Sequence, residues 1–182
     1  KYLKSSEVTV PTVAWVNDQA YSAGTLVAAA CDEIVMAPGA ALGDSAPISL
    51  VGNLSPTERA KAVAPLLAEY RDSARRNGYD FALYHAMCEL EIELYQVRHA
   101  DTGEVRLVSQ GDYEFLVLGK GAATASQIDV DAIDPEAATG DGPVIKPLAT
   151  TLATPENRGR WELIRKVHDG QSLLTLNSDE AK

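Results

Sequence analysis

Residues 8–43 read VTVPTVAWVNDQAYSAGTLVAAACDEIVMAPGAALG. Val8–Val16 is rich in Val and Thr and nearly all apolar, which predicts a strand covered on both faces. Pro11 must lie near its start, because proline has no N–H to donate to a sheet. The polar run Asn17-Asp18-Gln19 makes the exit loop. Ser22–Cys31, SAGTLVAAAC, is small and apolar on all sides, which predicts a short buried helix packed close to a sheet. Asp32-Glu33 ends it. Glu33–Ala37 is a second strand, Pro38-Gly39 a turn, and Ala40–Gly43 leads into another turn. Strand, helix and strand within so short a span define a βαβ unit, and hence an α/β fold with a parallel sheet and a right-handed crossover.

Ser22 falls where strand gives way to helix, and two readings are open for it. It is a helix cap, or it is a nucleophile whose hydroxyl stands clear of a strand end, with the Ala23 amide and the helix N-terminus facing a developing oxyanion. A serine hydroxyl is a weak nucleophile and needs a base. The three histidines are His85, His99 and His168. None follows Ser22 closely. A lysine serves instead if burial or a cationic neighbour leaves it neutral near pH 7. Lys61, in RAKAVAPLLA between alanines, is the candidate. Lys4, Lys120, Lys146, Lys166 and Lys182 lie in polar segments, and the S-x-x-K pattern is absent. On spacing alone the default remains a capping serine and a surface lysine whose stem lies along the helix.

Beyond the βαβ unit, Asp44–Leu50 reads as loop or short edge strand and Val51–Pro56 as a polar loop. Ser55-Pro56-Thr57-Glu58 is a capping box with proline at the first helical position, predicting a helix from Pro56 to Asn77 closed by Gly78. Pro65 either kinks that helix or divides it. A third helix is expected over Asp80–Glu91. Ile92–Val97 and Val105–Ser109 flank Asp101-Thr102-Gly103 as a hairpin, and Asp112–Leu118 reads as a further strand. Gly119–Pro155, rich in Gly, Ala, Thr, Asp and Pro, reads as a long loop. Gly159–His168 is a helix or an amphipathic strand, Ser172–Leu176 a strand, and Asn177/Ser178 caps a final helix. The chain thus divides into a core over 1–92, a hairpin and Gly/Ala-rich insertion over 93–158, and a return to the core over 159–182.

Composition narrows the class. The 182 residues carry a net charge of −10 and a pI near 4.7. With no basic stripe to neutralise phosphates, this acidity argues against nucleic acid as the main partner. Cys31 and Cys88 form neither metal spacing nor a disulfide framework, and read as buried thiols. No apolar run reaches the ~18 residues of a membrane span, and KYLKSSEV lacks the apolar core of a signal peptide. Both ends read as cut from a longer chain.

The stretch VPTVAWVNDQAYSAGTLVAAACDEIVMAPGAALGDSAPI resembles the ClpP/crotonase superfamily, and more closely the NfeD-type membrane-bound serine proteases related to signal peptide peptidase A. In that family a VPVVAYV-type strand enters an A-x-SAG nucleophile turn, followed by an ADEIYMAPG-type strand and a small-residue turn. The resemblance implies a ClpP/crotonase-like spiral of parallel strands and helices, truncated at both ends and carrying a hairpin and loop insertion. It places the family serine on Ser22 and the family lysine, about 40 residues later, on Lys61. The ClpP histidine has no counterpart near Ala46-Pro47-Ile48. The resemblance implies a serine endopeptidase that cleaves apolar peptide segments, often of membrane proteins, through a Ser-Lys dyad and an acyl-enzyme. The Ala23 amide would serve as oxyanion donor, and Ser45 and Thr57 are candidates to tune the lysine. No metal or organic cofactor is implied. Homo-oligomers are, as is membrane association at the extracytoplasmic face through segments outside this chain, which would itself be soluble. The family's upstream D-x-PGG segment, which completes the groove, has no counterpart here, so the chain alone is expected to be a weak catalyst. Two other readings compete: a crotonase-like acyl-CoA enzyme, which would leave Ser22 and Lys61 without a role, and a catalytically inactive ClpP-like scaffold.

Overall fold

The computed structural model describes residues 2–47, 55–121 and 152–181. It is a mixed α/β structure with parallel and antiparallel strand pairs. The chain divides into two compact units, one formed by residues 1–94 and 168–182, the other by 95–167.

In the first unit, β1 (Val13–Val16) pairs in parallel with β3 (Glu33–Met36), in register Val13 with Glu33 through Val16 with Met36. The strand β2 (Gln19–Tyr21) pairs in parallel with β4 (Ala41–Gly43), and β4 pairs antiparallel with β8 (Thr175–Asn177). Between β2 and β3 runs the helix α1 (Ala23–Ala29). Two expectations change here. The first strand is shorter than the apolar run Val8–Val16, and it is not covered on both faces: Val13 and Trp15 are 55% and 61% exposed, while Val16 is buried. Val13 and Trp15 alternate with Ala14 and Val16 along the strand, so they share the face that meets solvent. Gln19, expected in a loop, begins β2 instead, where Ala41 N–H also donates to the Asp18 carbonyl at 2.8 Å.

The helix α2 (Pro56–Asn77) forms as its end signals require. Ser55 Oγ accepts from the Glu58 amide at 3.3 Å, and Glu58 Oε2 accepts from the Ser55 amide at 2.9 Å. Gly78 closes the other end at φ 77°, a left-handed geometry that favours glycine. The helix runs unbroken through Pro65. Val63, Tyr70, Ser73 and Ala74 are buried, at the spacing that makes one face of a helix. Tyr70 stacks on Tyr84 at 4.8 Å between ring centroids. Tyr84 belongs to α3 (Phe81–Cys88), which is shorter than expected and also buries Ala86, Met87 and Cys88. Near its C-terminus α2 is tied to the βαβ unit: Asn77 Nδ2 donates to the Ala29 and Cys31 carbonyls, and Arg76 pairs with Asp32 at 2.6 Å. Hydrogen bonds from Thr12, with Arg76 adding to them, hold the Asp32 carboxyl below the usual range.

The second unit is a sheet in the order β6 (Val105–Ser109), β5 (Leu94–His99), β7 (Trp161–His168), with the helix α4 (Gln110–Leu116). Its core gathers Val97, Val108, Phe115, Leu116, Ala153 and Trp161. The hairpin of β5 and β6 lies where the Gly103 turn predicts. Asp112–Leu118, expected as a strand, is mostly helix instead: Phe115 and Leu116 both turn into the core, and adjacent residues do not share a face in a strand. Gly159–His168 resolves to the strand alternative, while the segment after Asn177 is turn rather than helix. The expectations for 48–54 and for most of the Gly/Ala-rich stretch, 122–151, lie outside the described residues.

Candidate active site

Ser22 joins β2 to α1 with φ 52° and ψ −118°. A non-glycine residue rarely takes positive φ, and such strain costs of order 1–3 kcal/mol unless the surroundings impose it. Here they do. The Ser22 N–H donates to the Gly43 and Asp44 carbonyls at 3.2 and 3.0 Å, and the Ser22 carbonyl accepts from the Leu26 N–H at 3.3 Å and from Ser45 Oγ at 3.1 Å. Thr25, wholly buried one turn on, places its Oγ1 within 2.6 Å of the Ala20 carbonyl and 2.8 Å of the Gly43 carbonyl, and accepts from the Gly43 N–H at 3.1 Å. The strand ends β2 and β4 are therefore locked together beneath the serine.

Gly43 is required in this lock. Its φ is 142°, and a Cβ there would collide with the Leu174 carbonyl of the chain entering β8. The neighbouring Asp44 also takes positive φ, 42°, and its N–H donates to Leu174 at 3.0 Å. Ser22 and Asp44, both at positive φ, thus each donate their N–H to carbonyls at or next to the ends of neighbouring strands.

Above this frame the Ser22 side chain is exposed, and its hydroxyl makes no hydrogen bond among the described residues. Ser22 thus occupies the N-cap position of α1, but its side chain makes no capping hydrogen bond. Ala23 is the first residue of α1 and is also exposed. A first-turn amide has no acceptor within its own helix. Serine hydroxyl and following amide consequently share one accessible turn.

Lys61 lies in the second turn of α2 and is exposed, with no ion pair or hydrogen bond among the described residues. It is nine positions before Tyr70, which places it ~14 Å along the axis and about half a turn away from the face Tyr70 buries. No hydrogen bond joins Lys61 to Ser22 in this arrangement. Ser45 bonds to the Ser22 carbonyl and to Tyr70 rather than to a lysine. Thr57 is exposed in the first turn of α2 and makes no hydrogen bond among the described residues.

The other titratable candidates are engaged elsewhere. His85 pairs with Glu89 at 2.8 Å, His99 Nδ1 accepts from the Asp101 and Thr102 amides, and His168 meets the Ser172 carbonyl. Lys4, expected in a polar setting, has a side chain only 9% exposed, between Glu69 and Asp72. Burial alone would lower its pKa, but the hydrogen bonds and charges of those two carboxylates outweigh it and hold the proton on. Cys31 and Cys88 are both free and buried, and burial pushes the Cys88 thiol up to about 12. Among the described residues no group of three or more His, Cys, Asp and Glu is placed to hold a metal.

Sequence reasoning missed Thr25, Gly43 and Tyr70 as parts of this frame. Gly43 carried a weak signal as the last small residue of the turn. Thr25 and Tyr70 carried none, since a threonine in an alanine-rich helix and a tyrosine on an apolar face read as filler.

The family model for the NfeD1b N-terminal domain matches residues 2–142, and the chain belongs to this family. Among curated proteins, the membrane protein NfeD1b of Bacillus subtilis strain 168 is 36% identical over 92 residues, half of this chain. The chain spans about a fifth of that relative's length. Among solved structures, a serine-to-alanine mutant of the 1510-N membrane-bound stomatin-specific protease aligns over 48% of this chain and 44% of its own, with 24% identity and a TM-score of 0.40. Among the described residues no helix is long and apolar enough to cross a membrane.

Proposed function

We propose that this chain carries the nucleophile of a serine peptidase, with Ser22 attacking the peptide carbonyl, Lys61 as base and the Ala23 N–H as oxyanion donor. The observation that carries the reading is the Ser22 turn: a strained, bonded backbone beneath an exposed hydroxyl that has no hydrogen-bond partner among the described residues. A structural cap would spend that hydroxyl on its helix. A nucleophile needs it unspent.

In the proposed reaction neutral Lys61 Nζ takes the Ser22 Oγ proton as Oγ bonds to the carbonyl carbon. The carbonyl electrons move to the oxygen, which the Ala23 amide receives. Collapse of this intermediate breaks the C–N bond, and Lys61 returns its proton to the leaving amine. Water then cleaves the acyl-enzyme to a carboxylic acid and free Ser22. The dyad requires the first turns of α2 to bring Lys61 round to Ser22. Pro65 supports such a movement, because it has no N–H for the Lys61 carbonyl, four residues before it, and so removes one helical hydrogen bond there.

The substrate class that fits this reading is an apolar peptide segment, including segments of membrane proteins. The fold would be a partial ClpP/crotonase-like spiral; the expected core of 1–92 and 159–182 and insertion of 93–158 become a core of 1–94 and 168–182 and an insertion of 95–167, because β7 pairs with the hairpin. The assembly would be a homo-oligomer held at the extracytoplasmic face of a membrane by segments outside this chain. Hydrolysis of a fluorogenic apolar peptide by the full chain tests the reading. Ser22→Ala and Lys61→Ala should each abolish turnover while leaving the melting temperature within a few degrees.

One observation favours a second reading. Lys61 faces solvent on the far side of α2 from the buried core, as it would in a family member that keeps the fold as an assembly scaffold without turnover. Full activity of Lys61→Ala would remove the dyad, and absence of any activity in the full chain would leave the scaffold.

A further inference from the structure

Beneath the Ser22 turn runs a short chain of hydroxyls whose direction can be assigned. Ser45 Oγ lies 3.1 Å from the Ser22 carbonyl, which has no proton, so Ser45 is the donor there. A hydroxyl has one proton to give. The hydrogen bond between Ser45 Oγ and Tyr70 Oη must then be donated by Tyr70. The chain runs from the Tyr70 phenol to the Ser45 hydroxyl to the Ser22 carbonyl.

Each member is fixed from outside the chain. Tyr70 is wholly buried and stacks on Tyr84. Burial raises its pKa well above the usual phenol value, so the donating proton stays in place. Ser45 is 3% exposed, and its own N–H donates to the Met87 carbonyl at 2.7 Å. The pair therefore ties α2 and α3 to the one carbonyl that belongs to the strained residue. A buried tyrosine and serine bonded only to each other would fill a core; these two deliver their last proton to Ser22.

We propose that Ser45 and Tyr70 are positioning residues, which hold the Ser22 backbone in its positive-φ conformation and so keep its hydroxyl presented for attack. This rests on the reading of Ser22 as nucleophile. Without the pair, the Ser22 carbonyl keeps only its bond from Leu26, and the turn can relax toward ordinary φ.

Two readouts on the full chain test it. The first is inactivation by a fluorophosphonate probe, which bonds Ser22 Oγ to phosphorus with loss of fluoride. Tyr70→Phe, which keeps the ring stack, and Ser45→Ala should each lower the maximal inactivation rate about tenfold, the scale of one lost buried hydrogen bond, with the probe's half-saturation unchanged. Ser45→Thr, which keeps the hydroxyl, should restore the rate. The second is hydrogen exchange of the Ser22 amide, which should quicken in Tyr70→Phe and Ser45→Ala but not in Ser45→Thr, while the β5–β6 hairpin stays unchanged. Unaltered rates in both deletion variants, or exchange that quickens equally everywhere, would overturn the proposal. Failure of the wild-type chain to label at Ser22 would instead overturn the nucleophile reading, and the Ser22 exchange would still decide whether the pair holds the turn.

Discussion

Around Ser22 both backbone polar groups are bonded, and the strands, helix and loop that supply the partners are bonded to one another in turn. Around Lys61 the arrangement is the opposite. The side chain is exposed and has no partner among the described residues, and Pro65 takes away the helical donor its carbonyl would use. Both regions belong to the same unit, and both carry residues that acyl-transfer chemistry would need. Constraint is concentrated on Ser22, the proposed nucleophile, whose positive φ is held by neighbouring groups. The end of α2 that carries the lysine has one fewer helical hydrogen bond, at Pro65. The proposed dyad would hold its geometry at Ser22 and would need movement at Lys61.

The largest effect expected on this contrast is at alkaline pH. Tyr70, Tyr84 and Cys88 lie together in the core under the Ser22 turn, and burial raises the pKa of all three. Groups whose folded pKa lies above the unfolded value stabilise the fold below the unfolded value and lose that contribution as pH climbs toward the folded one. Stability should therefore be steady to about pH 9, the ordinary thiol range, and fall continuously above it. Denaturant titrations at stepped pH will show this, and Tyr70→Phe should make the decline shallower.

Next is Gly43→Ala. Positive φ together with the collision at Leu174 should cost about 3 kcal/mol or more in the denaturant midpoint. A cost under about 1 kcal/mol would mean that the frame beneath Ser22 yields easily. Pro65→Ala acts on the other region and in the other direction. Restoring the missing amide inside α2 should stabilise by about 1–2 kcal/mol. It should also slow labelling of Ser22, because a stiffer helix brings Lys61 round less often. Smallest is Lys61→Ala, which should change stability by no more than about 0.5 kcal/mol, as for an exposed side chain away from caps and packing.

Much of this was legible in the residues. The βαβ unit followed from small apolar composition and punctuation by Asn17-Asp18 and Pro38-Gly39. The α2 ends were written in Ser55, Glu58 and Gly78, since capping is local chemistry read over a few positions. The family was legible because the SAG turn and the DEIVMAPG strand carry a shape that few sequences share, and the matched NfeD1b domain agrees with it. What could not be read depended on distant contacts. Trp15 looked buried because its neighbours are apolar, yet it lies on the strand face that meets solvent. Phe115 and Leu116 looked like strand because apolar residues side by side suit a covered sheet; packing made them helix. The partner of the Ser22 carbonyl was invisible because Ser45 and Tyr70 lie far from each other in sequence and each alone reads as ordinary.

The measurement that bears most directly on the central claim is site-mapped fluorophosphonate labelling of the full chain, read by peptide mass spectrometry. The account predicts a single modified serine, Ser22, with labelling lost in Lys61→Ala while the fold persists. Labelling that falls on another serine, or no labelling of the folded full chain, would contradict it.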